Sequence, residues 1–284
     1  MEKRYKLTPE DLLTVDVESI LPKLLKSNIA RKILHDCIKD MIDDLSLSRG
    51  EIQKLLAITK SPSSAKNADP ILVRNALVLY IDTVMKDWKE VSTQKTANQM
   101  VASLPLFVEM SKVLPHINPA DKYKVAFRGT ELNDTKIKSF IANTKPHHWS
   151  KINKMRDRSW MMYTGPQKNN FTYKPHREVQ SWSVSREAAT GFGSSVVVTR
   201  IDSSFFFDPD FSSQYGWSSD RETTHFGKTP MKVALLITRD DFMFFKPSTW
   251  VTKSKNSLKY ESDGPVSESI EIQDEEGTLV IPSI

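Results

Sequence analysis

Residues Tyr123–Thr130 read YKVAFRGT, and their pattern decides how the second half of the chain is built. Upstream of them, apolar residues recur at helical spacing; from Asp121 onward they alternate or gather in short runs bounded by turn residues. The change of period predicts a strand over Lys124–Phe127 that delivers Arg128 and Gly129 at its end. An arginine there offers a planar fork of donors suited to a diphosphate, and a glycine behind it lets a ligand approach the backbone closely. An arginine before a turn also serves in surface ion pairs, so this stretch alone leaves both uses open.

Downstream, strands are predicted at Val179–Ser183, Ser195–Ile201, Lys232–Thr238 and Phe242–Lys246, which makes residues 121–284 a mixed α/β domain rich in antiparallel strands. Between them lie two long loops, Ser203–Lys228 and Lys253–Ser267, and long loops on a strand scaffold are where binding residues usually sit.

Upstream, residues 1–120 read as helical. Thr8, Pro9 and Asp11 form a helix start, and the helix is expected to be short because Pro22 interrupts its pattern. From Ser27, the residues Ile29, Ile33, Leu34, Cys37, Ile38, Met41, Ile42 and Leu45 make one apolar stripe. Ser48–Glu51 is a capping box opening a third helix. Ser61–Pro70 has the composition of an exposed loop, and Ile71–Trp88 that of a central helix. No motif in this half carries chemistry, which leaves packing, target recognition or self-assembly as its role. His35 and His116 each lack a second ligand at metal spacing, and no metal site is expected.

The 284 residues carry 40 basic and 35 acidic side chains, a net charge of +5 compatible with either nucleic acid or an acidic protein partner. Cys37, the single cysteine, excludes an intrachain disulfide and a cysteine-based zinc site. No apolar run approaches the roughly 20 residues that cross a bilayer, and MEKRYKLTPEDLL lacks the apolar core of a signal peptide. The expectation is a cytoplasmic protein without a membrane partner, acting in the cell that makes it or in one that receives it.

Two later segments accompany the arginine. In Glu178–Gly193, EVQSWSVSREAATGFG, Ser181 and Ser183 flank Trp182, and Ala189 and Phe192 follow eight and eleven positions after Ser181. An inward-facing Ser181 can orient a carboxylate, and a helix opened by Ser185 presents Phe192 as a flat apolar wall. In Ser267–Ile281, SESIEIQDEEGTLVI, Glu271 lies in a strand, with Gly277 and Thr278 six and seven residues beyond. A fixed carboxylate beside a ribose stabilises an oxocarbenium-like state, as in glycoside hydrolysis.

In order and spacing these three segments resemble the mono-ADP-ribosyltransferases of the arginine–serine–glutamate class, which include bacterial toxins and phage enzymes of the Alt and Mod type. The resemblance covers about residues 121–284. It implies an α+β fold, in which an N-terminal helical segment precedes a mixed, mainly antiparallel two-sheet catalytic domain. It also implies an NAD-consuming glycosyltransferase that joins ADP-ribose to a macromolecule, protein favoured and nucleic acid close behind, the alternative being a binding module that keeps the fold without catalysis, and an inhibitor or antitoxin is a partner of the kind such effectors have. Carried over, Arg128 anchors the NAD phosphates and Gly129 and Phe192 hold the nicotinamide. Ser181 positions Glu271, which contacts the ribose, and Tyr260, Ser269 and Glu268 lie in the target-recognition region. The chain departs from the pattern at Ser269, where many members carry a second glutamate or a glutamine. Glu268 is one residue further back, and an alternative register would pair Gln273 with Glu275. Ser269 weakens the case for an arginine acceptor. The segment Lys145–Arg177 interleaves basic and aromatic residues, among them His147, His148, Trp149, Trp160 and Tyr173. Such mixing suits base stacking with phosphate neutralisation, the adenine half of NAD, or a half-exposed loop.

Overall fold

Asp69 opens the longest helix by accepting a hydrogen bond from the Ile71 amide at 2.8 Å, and Pro70 sets its first turn. The computed structural model describes residues 7–133, 135, 152–155, 158–164, 172–216, 220–232, 235–239, 269–274 and 277–282. Before this helix lie α1 (Val17–Leu24), α2 (Asn28–Asp44) and α3 (Arg49–Lys60); it is α4 (Pro70–Glu90), and α5 (Gln94–Met110) follows. Along α4, Val73, Leu77, Tyr80, Ile81, Val84 and Trp88 are buried at helical spacing. Its neighbours α2 and α5 pack against it, and a 2.6 Å hydrogen bond between Tyr80 Oη and Ser103 Oγ ties α4 to α5 in the buried interior.

Several helical details differ from the sequence expectation. The Thr8 start yields a single 3-10 turn, Pro9–Leu12, with Thr8 and Asp11 closing a reciprocal capping box. Pro22 does not end a helix: α1 starts afresh at Asp16 and carries Pro22 inside it. On α2, Leu34, Cys37, Ile38 and Met41 are buried as the stripe predicts, but Ile29 and Leu45 at its two ends are exposed. Ser61–Pro70 is not an open loop, because Pro62–Asn67 forms a 3-10 helix with Ala65 buried.

The chain divides into two units. The first is Met1–Pro119 with the later segments Arg177–Val179 and Phe206–Ser218; the second is Ala120–His176, Gln180–Phe205 and Ser219–Ile284. Part of the expected loop Ser203–Lys228 is therefore core of the helical unit. Phe207 takes a left-handed backbone (φ 67°), which bulky residues rarely adopt. Its amide donates to the Ile117 carbonyl at 2.8 Å. Its ring packs edge-on to Phe107 at 4.8 Å and stacks on Phe211 at 5.3 Å. Burying three aromatic rings together offsets a backbone cost of about 1–3 kcal/mol.

The second unit is built on an eight-stranded sheet of order β2-β3-β10-β6-β1-β5-β8-β7. Its strands are β1 (Val125–Thr130), β2 (Ile152–Met155), β3 (Arg158–Thr164), β5 (Val179–Ser183), β6 (Ser195–Arg200), β7 (Phe205–Phe206), β8 (Glu222–Phe226) and β10 (Leu235–Arg239). Two ribbons accompany it, one pairing β4 (Thr172–Tyr173) with β9 (Met231–Lys232), the other β11 (Ser269–Asp274) with β12 (Gly277–Pro282). The fold is thus α+β. The expected two-sheet domain is corrected to one principal sheet with two ribbons, because β6 joins β1 to β10 and keeps the strands on both sides of it in one sheet. Every pairing with a described register is antiparallel. Val196, Val197 and Val198 on β6 are wholly buried, so that strand reads as a continuous apolar run instead of an alternation. The expected strand Lys232–Thr238 is split between a ribbon and the main sheet, and Phe242–Lys246 lies outside the described residues.

Candidate functional site

Arg128 sits near the end of β1, opposite Val197 of β6 and on the strand that pairs with β5. Its guanidinium is half-buried and oriented from two directions. Nε donates to Tyr173 Oη at 3.1 Å, and Nη1 donates to the Ser181 carbonyl. Among the described residues two of the five N–H donors are thereby used, leaving one on Nη1 and both on Nη2. Tyr173 is a functional residue that sequence reasoning missed. It reads there as one aromatic in a basic stretch, and only the β4–β9 ribbon reveals it as the group that aims Arg128.

Gly129 is required by its neighbours. A Cβ at this position would lie 2.1 Å from the Ala189 carbonyl oxygen and 2.8 Å from Phe192 Cβ. The short helix Arg186–Thr190 and the turn after it therefore lie directly on the β1 backbone. Ser185 caps that helix, accepting from the Ala188 amide at 3.2 Å. Gly193 is equally constrained, its absent Cβ facing the Thr130 backbone at 2.5 Å. Glu131 completes the clamp by accepting from the Ser194 amide at 2.9 Å and from the Ser194 hydroxyl. This carboxylate was not singled out from the sequence, where it reads as a solvated residue after a strand. The clamp holds Phe192 on the outside of the turn, with 61% of its surface exposed.

The two serines of β5 have different roles. Ser183 is structural: its hydroxyl donates to the Asp220 carbonyl at 2.8 Å and accepts from the Ser185 amide at 3.0 Å. The half-buried Ser181 has no hydrogen-bond partner for its hydroxyl among the described residues. Trp182, between them, points to the opposite face as strand alternation requires, where it meets Tyr173, Phe205 and His225 edge-on.

His225 on β8 is 2% exposed. Burial pushes its pKa down to about 4; the Asp202 carboxylate opposes the shift and the Arg128 guanidinium adds to it. The folded protein therefore holds this imidazole neutral while the unfolded chain protonates it near pH 6.5. Since the unfolded state then binds the extra proton, stability falls as pH drops below about 6.5, by about 2 kcal/mol at pH 5. Urea midpoints at pH 7 and pH 5 are expected to show this loss, and His225→Phe to remove most of it. An equal loss in the variant would assign the pH dependence to other groups.

Glu271 lies on β11 opposite Val280, with Ser269 opposite Pro282 and the hairpin closing at Asp274–Gly277. The Cα atoms of β11 and β1 come within 8 Å of one another. The unit thus brings together Arg128, Gly129, Ser181 and Phe192, and its backbone carries the Glu271 strand alongside β1. Tyr260 and Glu268 lie outside the described residues, as do His147, His148 and Trp149 of the basic aromatic segment.

No family model, no curated protein and no solved structure matches this chain. Among the described residues, no helix is long and apolar enough to cross a membrane.

His116 does gain carboxylate neighbours, Asp208 and Asp210, all three with ligand atoms within 4.8 Å of one another. They come from a segment more than 90 residues away, beyond the reach of any spacing rule. Asp208 is already used: it meets His116 Nδ1 at 3.2 Å and caps the helix Pro209–Ser212 through the Phe211 amide at 2.9 Å.

Proposed function

We propose that the second unit is an NAD-dependent mono-ADP-ribosyltransferase, joining ADP-ribose from NAD to a macromolecular acceptor, protein favoured, with release of nicotinamide. The observation that carries this reading is the Arg128 guanidinium bound to the Ser181 carbonyl beside Gly129, against whose backbone the turn bearing the exposed Phe192 ring packs. An oriented guanidinium with three donors uncommitted among the described residues suits a diphosphate. The exposed ring supplies a face on which a nicotinamide stacks. Glu271 is assigned the ribose, where its charge stabilises the positive character that develops at C1′, and the Ser181 hydroxyl holds its carboxylate in place. The C1′–N bond breaks with its electron pair leaving on nicotinamide. The acceptor nucleophile bonds to C1′ and gives up its proton to solvent. Ser269, in place of a second acid or amide, favours an acceptor other than arginine.

The test is release of nicotinamide from NAD by the purified chain. Arg128→Ala removes two or more charge-assisted hydrogen bonds to phosphate, and the KM for NAD is expected to rise by about 10–100-fold. Because Arg128 also holds the Ser181 carbonyl, Arg128→Lys serves as the companion variant that keeps the charge; it is expected to recover only part of the loss, since an ammonium cannot reproduce the fork. An unchanged KM in both variants would remove Arg128 from the NAD site. No release by the native chain would overturn the reading.

A further inference from the structure

The helical unit contains a cleft of about 670 Å³ between α2, α4 and α5, within the size range of small-ligand sites. Its floor has a polar group that the fold does not satisfy. Gln99 is 7% exposed, and its Nε2 donates to Asp87 Oδ2 at 3.1 Å. Since a carboxylate only accepts, that bond fixes which end of the amide is which. Gln99 Oε1 is then buried, lines the cleft, and has no partner among the described residues. An unpaired buried carbonyl costs about 1–3 kcal/mol, and here it lies next to the Asp87 carboxylate. Thr83, exposed on the wall, donates its hydroxyl to the Leu79 carbonyl at 2.9 Å and accepts from the Cys37 thiol at 3.6 Å.

The rest of the lining fits the same chemistry. Asp36 and Asp40 stand at the rim, and both raise the pKa of the buried Cys37 thiol, after burial itself. The rim also carries Lys32 and Lys95, both exposed, whose long stems let their ammonium groups turn to water. The cleft therefore holds, among the described residues, one buried unmet acceptor, Gln99 Oε1, beside the half-buried Asp87 carboxylate, while the cations stay at the exposed rim. Ile29, 41% exposed, and the half-buried Ile33 add an apolar wall.

We infer that this cleft binds a guanidinium group on an aliphatic stem, the guanidinium bridging Gln99 Oε1 and the Asp87 carboxylate and the stem lying on Ile29 and Ile33. A planar fork reaches two neighbouring acceptors at once. The site would take a free alkylguanidine or the arginine side chain of a partner protein. It is independent of ADP-ribose transfer and stands or falls without it.

Calorimetric titration of the full chain with butylguanidine at low salt tests the inference, with butylurea as the uncharged analogue. The expected result is saturable binding with a Kd on the order of 1 mM for so small a ligand, at least about 10-fold tighter than butylurea. Asp87→Asn is expected to weaken it at least about 10-fold. Asp36→Lys, at an exposed position where folding is not at stake, is expected to weaken it about 3-fold or more. Bound butylguanidine should also slow alkylation of Cys37 in the cleft wall. Tighter binding of acetyl-leucyl-argininamide than of butylguanidine would identify a partner's arginine as the occupant, and the reverse order a free small cation. Equal affinity for butylurea, or no saturation below about 20 mM, or indifference to both substitutions, would overturn the site.

Discussion

Glu271→Gln is expected to lower nicotinamide release from NAD by about 10³-fold, equivalent to about 4 kcal/mol of transition-state stabilisation. The substitution keeps the shape of the side chain and removes its charge. If Glu271 stabilises a cation that develops only as the C1′–N bond stretches, the loss falls on kcat and leaves the KM for NAD nearly unchanged. The β11–β12 hairpin should retain its register and the protein its melting temperature. Turnover close to native by Glu271→Gln would remove this residue as the catalytic acid and reopen the alternative at Glu275. A parallel rise in KM with little loss of kcat would make it a binding residue only.

Gly129→Ala is expected to destabilise the second unit by about 3 kcal/mol or more, near the upper end for a single methyl added to a packed interior. The added methyl meets the Ala189 carbonyl at 2.1 Å. That atom belongs to a helix backbone and cannot swing aside as a side-chain tip would. Relief requires the Arg186–Thr190 helix to lift from β1, which carries Phe192 with it. Loss of stability should therefore accompany loss of any NAD binding that depends on Phe192. Gly50→Ala provides the contrast within the same chain. Gly50 lies in α3 with its nearest neighbour 4.0 Å from the added carbon, and alanine there is expected to stabilise by about 0.5–1 kcal/mol. Denaturant titration of both variants separates the two cases, and a Gly129→Ala protein as stable as the native chain would contradict the close packing at that crossing.

The features legible in the sequence were those set by local rules. The helix start at Thr8, the capping box at Ser48, the helix over Ile71–Trp88 and the strand Val179–Ser183 follow from a few neighbouring residues and a period. What escaped the sequence depends on contacts distant along the chain. Pro22 reads as a helix end, but with Asp16 capping α1 it falls in that helix's second turn. Phe206–Ser218 reads as part of a long loop, yet Phe207 packs on Phe107 and Phe211, and both Phe207 and Phe211 are buried. Within the candidate site, Arg128 and Gly129 could be singled out by residue type. Their supports, Tyr173 and Glu131, could not, because the one acts across a ribbon and the other across the turn that follows Phe192. Gln99 was invisible for a related reason: an amide on a helix becomes notable only when its carbonyl is found buried and unmet.

The most direct measurement is transfer from NAD carrying a label on its adenylate half, incubated with the purified chain and a crude bacterial lysate and then divided between protease and nuclease. The proposed function predicts that native protein labels macromolecules, that protease removes the label, and that Glu271→Gln labels none. Label removed only by nuclease would move the acceptor to nucleic acid while keeping the chemistry. Absence of label together with unreleased nicotinamide would contradict the proposed transferase.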